Sequence, residues 1–186
     1  MLIVILIIVA VIVIAGIACY NGLVSSRNAC DTADQQISTQ LQRRFDLIPN
    51  LVETAKGYSK HESETLKAVI EARSAGTTAI KNGSTNDALA ADGKLTKSLW
   101  LILNAVGEAY PDLKANQNFL SLQEQLTTTE NQVAYARQAF NDAVLAYNNQ
   151  VEKFPSSIIA GMFHFERKEG FKVESEDVRH APKVQF

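Results

Sequence analysis

The sequence predicts an all-α protein, with a single N-terminal transmembrane helix continuing into an antiparallel three- to four-helix bundle. Three observations lead there. Every residue from Met1 to Tyr20 except Gly16 is hydrophobic, and the first charged residue is Arg27. Residues 21–163 then carry apolar side chains at helical spacing, with little of the alternation that marks strands. Finally, setting aside the first twenty residues lowers the hydrophobic share from 46% to about 40%, an ordinary soluble composition. The resulting organisation is an anchor over 1–24, a helical bundle over 25–163 and a non-helical tail over 164–186.

A helix of about 20 residues rises roughly 30 Å and matches the hydrocarbon core of a bilayer. A cleaved signal peptide would begin with basic residues and carry a shorter apolar stretch, and no Lys or Arg precedes Arg27. Gly16-Ile17-Ala18-Cys19 ends like a lipoprotein site, but Gly16 stands where such sites carry a bulky aliphatic residue, so a retained anchor is the reading. No second apolar run reaches the length of a span, which excludes a polytopic transporter. Arg27, Arg43 and Arg44 follow the span, and this Lys/Arg bias places the soluble region in the cytoplasm, with the extracytoplasmic side as the alternative. Ala18, Gly22 and Ser26 recur at i, i+4 and i+8, one face on which a second helix backbone could approach closely.

Leu23, Ile37, Leu41, Phe45, Ile48, Val52 and Ala55 extend a stripe out of the anchor, and no Pro or Gly interrupts residues 23–48. Pro49 is expected to kink or restart the helix, with Asp46 as the new cap. The next helix runs through Val52, Ala55, Leu66, Val69, Ile70 and Ala72. Residues 74–87, SAGTTAIKNGSTND, read as a turn, and turn chemistry also accounts for the glycosylation-like Asn82-Gly83-Ser84. A helix over about 88–109 buries Leu95, Leu99, Trp100, Ile102, Leu103 and Val106, and ends at Tyr110-Pro111-Asp112. The last helix, about 113–154, has the clearest face: Phe119, Leu122, Leu126, Thr129, Val133, Ala136, Phe140, Ala143, Tyr147, Gln150 and Phe154 follow in steps of three and four. Short connections make neighbouring helices antiparallel. Cys19 and Cys30 lie roughly 16 Å apart on one helix, too far for a disulfide within the chain.

Chemistry is sparse. His61-Glu62-Ser63-Glu64-Thr65 opens like a zinc-protease motif, but Thr65 stands where the second His is required. His164 and His180 have no partner at ligand spacing, no Gly-x-Ser-x-Gly elbow occurs, and no Gly-rich loop precedes a helix. The reading is therefore no catalytic residue, no metal and no cofactor. A net charge of −2 supplies no cationic footprint for nucleic acid. Arg27-Asn28 and Arg43-Arg44 read as surface polar groups, with pairing to lipid phosphate or to a carboxylate on another helix as the alternative. The C-terminal Val184, Gln185 and Phe186 form an apolar-x-apolar carboxylate terminus of the type captured in peptide grooves, with simple packing of the tail as the bland alternative.

Several stretches together resemble the LemA family of bacterial membrane proteins. They are Tyr20–Val24 with Arg27-Asn28, the run Gln40–Val52 (QLQRRFDLIPNLV), Tyr58 with His61-Glu62, Glu108–Asn116 with Phe119, Ala136-Arg137 through Asn141, Tyr147-Asn148 and Phe154-Pro155-Ser156. The resemblance implies a short anchor followed by an antiparallel helical bundle, without enzymatic activity or cofactor. It also implies likeness to one class of magnetosome membrane protein and gene neighbourhood with a membrane metalloprotease. The function expected is a self-associating, membrane-anchored scaffold, with membrane lipid and further copies of the chain as partners. The alternative is an adaptor or sensor that presents its bundle or tail to a membrane protein such as a protease.

Overall fold

The computed structural model describes residues 1–56, 63–109 and 111–171. Within them the chain is helical: α1 (Leu2–Lys56), α2 (Ser63–Lys81), α3 (Thr85–Ala109), the single turn α4 (Pro111–Lys114), α5 (Gln117–Glu152) and α6 (Ser156–Met162). No strand occurs among the described residues. Two compact units share these helices: residues 29–139 form one, and residues 1–28 with the chain from Phe140 onward form the other.

In the unit of residues 29–139, α1, α2, α3 and α5 enclose a core in which Ile37, Leu41, Phe45, Ile48, Val69 and Leu95 are fully buried. Every residue of the expected α1 stripe from Leu23 to Ala55 is buried. Pro49 does not restart the helix, contrary to expectation; α1 passes through it to Lys56. Asp46, expected as a cap, instead accepts a hydrogen bond from Gln42 Nε2 at 2.7 Å.

The expected turn over 74–87 is also corrected, because α2 continues to Lys81 and only residues 82–84 turn. The Thr77 hydroxyl donates to the Arg73 and Ser74 carbonyls, and that of Thr78 donates to Ser74. Small polar residues that favour turns in isolation are thus satisfied inside a helix. The stop is a Schellman motif: Ser84 N–H donates to Ala79 O and Gly83 N–H to Ile80 O, with Gly83 at φ +73°. Ser84 then caps α3, its Oγ accepting from the Asp87 N–H and donating to the Asp87 carboxylate. Asn82-Gly83-Ser84 therefore ends one helix and starts the next.

Along α3, Leu95, Leu99 and Ile102 are buried as expected, but Trp100 is 64% exposed and Leu103 only half-buried. Val106 lies outside the residues whose side chains are described. The last long helix begins later than expected. Asn116 Oδ1 accepts from the Asn118 and Phe119 N–H groups and caps α5 separately from α4. Its predicted face is buried from Phe119 to Phe140 and again at Tyr147. Val144 takes the buried place given to Ala143, and Phe154, past the helix end, is exposed. Cys19 and Cys30 form no disulfide with each other.

Candidate functional site

Arg43 and Arg44 stand side by side on α1, and the helix turns them to different environments. Arg43 is exposed, whereas Arg44 is buried to 2% exposure. The surface reading of Arg44 is thereby corrected, and the carboxylate alternative holds for it. Its Nη1 donates to both oxygens of Asp92 on α3, at 2.9 and 2.8 Å, and its Nη2 donates to Glu130 Oε2 on α5 at 3.1 Å. Arg44 Nε and the nearby-in-sequence Gln40 Oε1 are buried without a hydrogen-bond partner. Burial pushes the Asp92 carboxyl above its ordinary value; the Arg44 guanidinium offsets that only in part, and the charge of Glu130 adds to the rise. Further along α1, Asp34 accepts from the Thr85 hydroxyl at 2.9 Å, and Ser38 shares a hydrogen bond with the same hydroxyl at 3.2 Å. These polar contacts join α1 to α3, and Arg44 adds α5.

Phe45, the next residue, explains how α1 survives Pro49. In an α-helix the Phe45 carbonyl would accept from the N–H of residue 49, which Pro lacks. Arg73 Nε on α2 donates to that carbonyl at 3.0 Å in its place. One turn along α2, Gly76 lies against the Phe45 ring so closely that a Cβ there would overlap the ring atoms. Arg73 and Gly76 therefore hold Phe45 by its backbone and by its side chain. Together the contacts of Arg44 and Phe45 fix three neighbouring helices onto α1.

In the other unit, α1 exposes large apolar side chains from Leu2 to Ile17, and the helix contains a stretch long and apolar enough to cross a membrane, none of it buried. Farther along, Gly22 faces Gln150 of α5, whose Oε1 would lie 3.8 Å from a Cβ. Ser26 is half-buried and Ala18 exposed. The face Ala18, Gly22, Ser26 thus meets a helix of its own chain at Gly22 and leaves Ala18 open. Tyr20 packs edge-on against Phe163 and Phe165, with centroids 4.8 and 5.7 Å apart. Arg27, expected at the surface, is exposed and lies over the Phe165 ring at 5.3 Å.

The chain after α6 is bound to α5 by side-chain amides. Asn148 donates to Lys168 O and accepts from Lys168 N–H, at 2.9 and 3.0 Å, and Asn141 does the same with Phe171 at 3.1 and 2.8 Å. Tyr147 OH donates to Glu166 O at 2.9 Å. Spaced i and i+7 on α5, the two Asn present amides that pair with backbone as a strand would. The non-helical tail is thereby traced to Phe171; Val184, Gln185 and Phe186 lie outside the described residues, as do His61 and His180. His164 adopts a left-handed φ of 56° at the end of α6. Among the described residues, no group of three or more His, Cys, Asp or Glu is placed to hold a metal ion.

The run Arg43–Val52 thus supplies the charge cluster, the Phe45 contact and three buried aliphatic residues, Ile48, Leu51 and Val52. Residues 33–186 match the LemA family along that run and beyond it. The chain belongs to the LemA family. Among its relatives are magnetosome protein MamQ 2 of Paramagnetospirillum magneticum, 25% identical over 176 residues, and magnetosome protein MamQ of Magnetospirillum gryphiswaldense, 25% identical over 175. Each alignment covers 82% of this chain and 64% of the relative. Protein LemA of Metamycoplasma hominis is 23% identical over 141 residues, covering 75% of this chain and 63% of that protein. The chain therefore spans somewhat less than two thirds of the length of these LemA-family relatives. It is a helical protein with an N-terminal segment suited to a membrane.

Sequence reasoning gave no structural role to Asp92, Glu130, Arg73 and Gly76, nor to Asn141 and Asn148, which it singled out only as carrying the family resemblance. A signal existed for three of them. Pro49 leaves the carbonyl four residues earlier unsatisfied, which calls for an outside donor such as Arg73. The i, i+7 repeat of Asn on a half-buried helix face called for a backbone partner.

Proposed function

We propose that this chain is a membrane-anchored, self-associating helical scaffold of a bacterial inner membrane, without catalytic activity. One observation carries the reading: α1 runs unbroken from an uncharged, exposed apolar segment into the buried stripe of the bundle. Exposed apolar area on that scale is unfavourable in water and suits lipid or another chain. The magnetosome relatives favour a membrane setting, and the buried charge cluster is spent on joining helices. Residues 1–24 serve as the anchor, and Ala18, the open member of the small-residue face, is where a neighbouring α1 would approach.

Alkaline carbonate extraction tests the anchor, and chemical cross-linking in lipid nanodiscs or mild detergent tests association. The expected outcome is a membrane-retained chain that cross-links into oligomers, with Ala18→Leu shifting it towards monomer. Release by carbonate overturns the anchor. A monomer at every protein concentration overturns the scaffold.

A further inference from the structure

Residues 1–26 are not the only uncharged stretch. Phe154–Phe165, FPSSIIAGMFHF, contains no Asp, Glu, Lys or Arg, and charges close it on both sides at Glu152-Lys153 and Glu166-Arg167-Lys168. This segment forms the corner between α5 and α6, then α6 itself. Its inner side is settled by contacts within the same unit: Ala160 is buried, and Ile159 lies 3.7 Å from where a Cβ on Gly16 of α1 would be. Its outer side is not covered. Phe154, Ile158, Met162 and Phe163 are all more than half exposed.

The height at which this corner meets α1 decides what covers it. The unbroken apolar run of α1 ends at Tyr20 and is followed by the amide of Asn21, so the span ends near residue 21. The corner meets α1 at Gly16 and Tyr20, from the end of that span to about 8 Å inside it. Helices lying in a membrane interface bury their apolar face about 5–10 Å into the boundary between headgroups and acyl chains. Tyr20, between Phe163 and Phe165, is the amphipathic aromatic residue typical of that level. Arg27 lies roughly 10 Å further along α1, at headgroup height.

We propose that the α5–α6 corner is a second membrane contact, lying in the lipid interface beside α1 with Phe154, Ile158, Met162 and Phe163 among the upper acyl chains. The occupant is lipid because the outer face of α6 continues the exposed apolar surface of α1 at the same level. Of the flanking charges, Lys153 before the corner and Lys168 after it suit the phosphate layer, while Arg167 pairs with Glu152 at 2.7 Å. Two elements then fix the rotation and depth of the anchor, where a lone helix would be free to turn. This rests on α1 being the membrane anchor, and the test separates the two.

The only tryptophan is Trp100, so Trp100→Phe provides a background for single probes in the full chain. Ile12→Trp reports the bilayer interior, Met162→Trp and Ile158→Trp report the corner, and Leu145→Trp, exposed on α5 about 13 Å before Phe154, is the control. Each is reconstituted in phosphatidylcholine vesicles whose acyl chains are brominated near the headgroup end or near the methyl end. The expected result is quenching of both corner probes by the headgroup-end bromines, roughly two-fold or more beyond that of Leu145→Trp, with Ile12→Trp quenched best by the deep bromines. Unquenched corner probes beside a quenched Ile12→Trp overturn the interfacial contact and leave the anchor standing. Corner probes that stay unquenched but shift to the blue as protein is added per lipid also overturn it, and give the face to a second copy. An unquenched Ile12→Trp overturns the anchor and the inference together.

Discussion

Arg44→Met tests whether the buried cluster holds the bundle. The methionine fills much of the aliphatic volume, so the loss falls on Asp92, which keeps 10% side-chain exposure and loses the nitrogen that bonded both its oxygens. Breaking a buried pair by removing one partner costs about 3–5 kcal/mol, because the other charge is left uncompensated. Glu130 adds little, since its side chain is 53% exposed and water replaces Arg44. For a domain of this size the loss lowers Tm by about 10 °C, read by thermal circular dichroism of the full chain in detergent. Asp92→Leu in the same background removes the orphaned charge, so Arg44→Met/Asp92→Leu should recover most of the loss. The loss should also depend on pH. A carboxyl whose folded pKa is raised above the unfolded value of about 3.9 binds more protons folded than unfolded, so stability falls as pH rises between the two values. Removing Arg44 takes away the main influence holding Asp92 down. The deficit of Arg44→Met should therefore be full above the raised folded value and shrink on acidification towards the unfolded one. A deficit that does not shrink as the pH is lowered from 8 towards the unfolded carboxyl value, or a double variant no more stable than Arg44→Met, would refute the reasoning.

Gly76→Ala places a methyl in the Phe45 ring and should cost about 2 kcal/mol in chemical denaturation. In a Phe45→Leu background the same change should be neutral or slightly stabilising, because alanine is the better helix former. Arg73→Met leaves the Phe45 carbonyl unsatisfied, at about 1–3 kcal/mol. Adding Pro49→Ala supplies the missing N–H, so the two changes together should cost less than Arg73→Met alone, measured by the same melts. Asn148→Ala removes both amide bonds to Lys168, and its expected signature is faster hydrogen exchange at the Lys168 N–H and faster proteolysis near it, with the bundle melt little changed.

The helical framework was legible in the sequence wherever a single periodicity decided it. The stripe from Leu23 to Ala55 and the α5 face from Phe119 to Phe140 are buried because helical spacing leaves those side chains nowhere else to go. What local reading could not reach were positions where a distant residue overrides local preference. Pro49 breaks helices unless something satisfies the freed carbonyl of Phe45, and Arg73 does so from 28 residues away. The stretch from Ser74 reads as a turn until Phe45 is seen to need Gly76. Arg44 was misjudged for the same reason: a charge on a long helix reads as solvated, and its burial is made possible by a carboxylate 48 residues on. Trp100 failed in the opposite direction. It was placed on the buried side with Leu99 and Ile102, yet it lies just off the stripe of Leu95, Leu99 and Ile102 and stays exposed.

These overrides bear on what the run Arg43–Val52 does in this chain. Aliphatic stripes on α1, α2, α3 and α5 favour burial but discriminate poorly between neighbouring registers, because dispersion and area are nearly indifferent to a one-turn slip. The contacts of Arg44 and Phe45 do discriminate. A one-turn slip of α3 against α1, about 5.4 Å, would leave Arg44 and Asp92 both buried and unpaired, and the same slip of α2 would strand the Phe45 carbonyl and drive a side chain into its ring. The hypothesis that follows is that the run sets register more than it adds stability. It predicts that Arg44→Met/Asp92→Leu, though stable again, spreads hydrogen-exchange protection unevenly along α3, as expected of helices sampling more than one packing. A double variant with the protection pattern of the wild type would make the cluster dispensable for register and return the weight to the Phe45 contact alone.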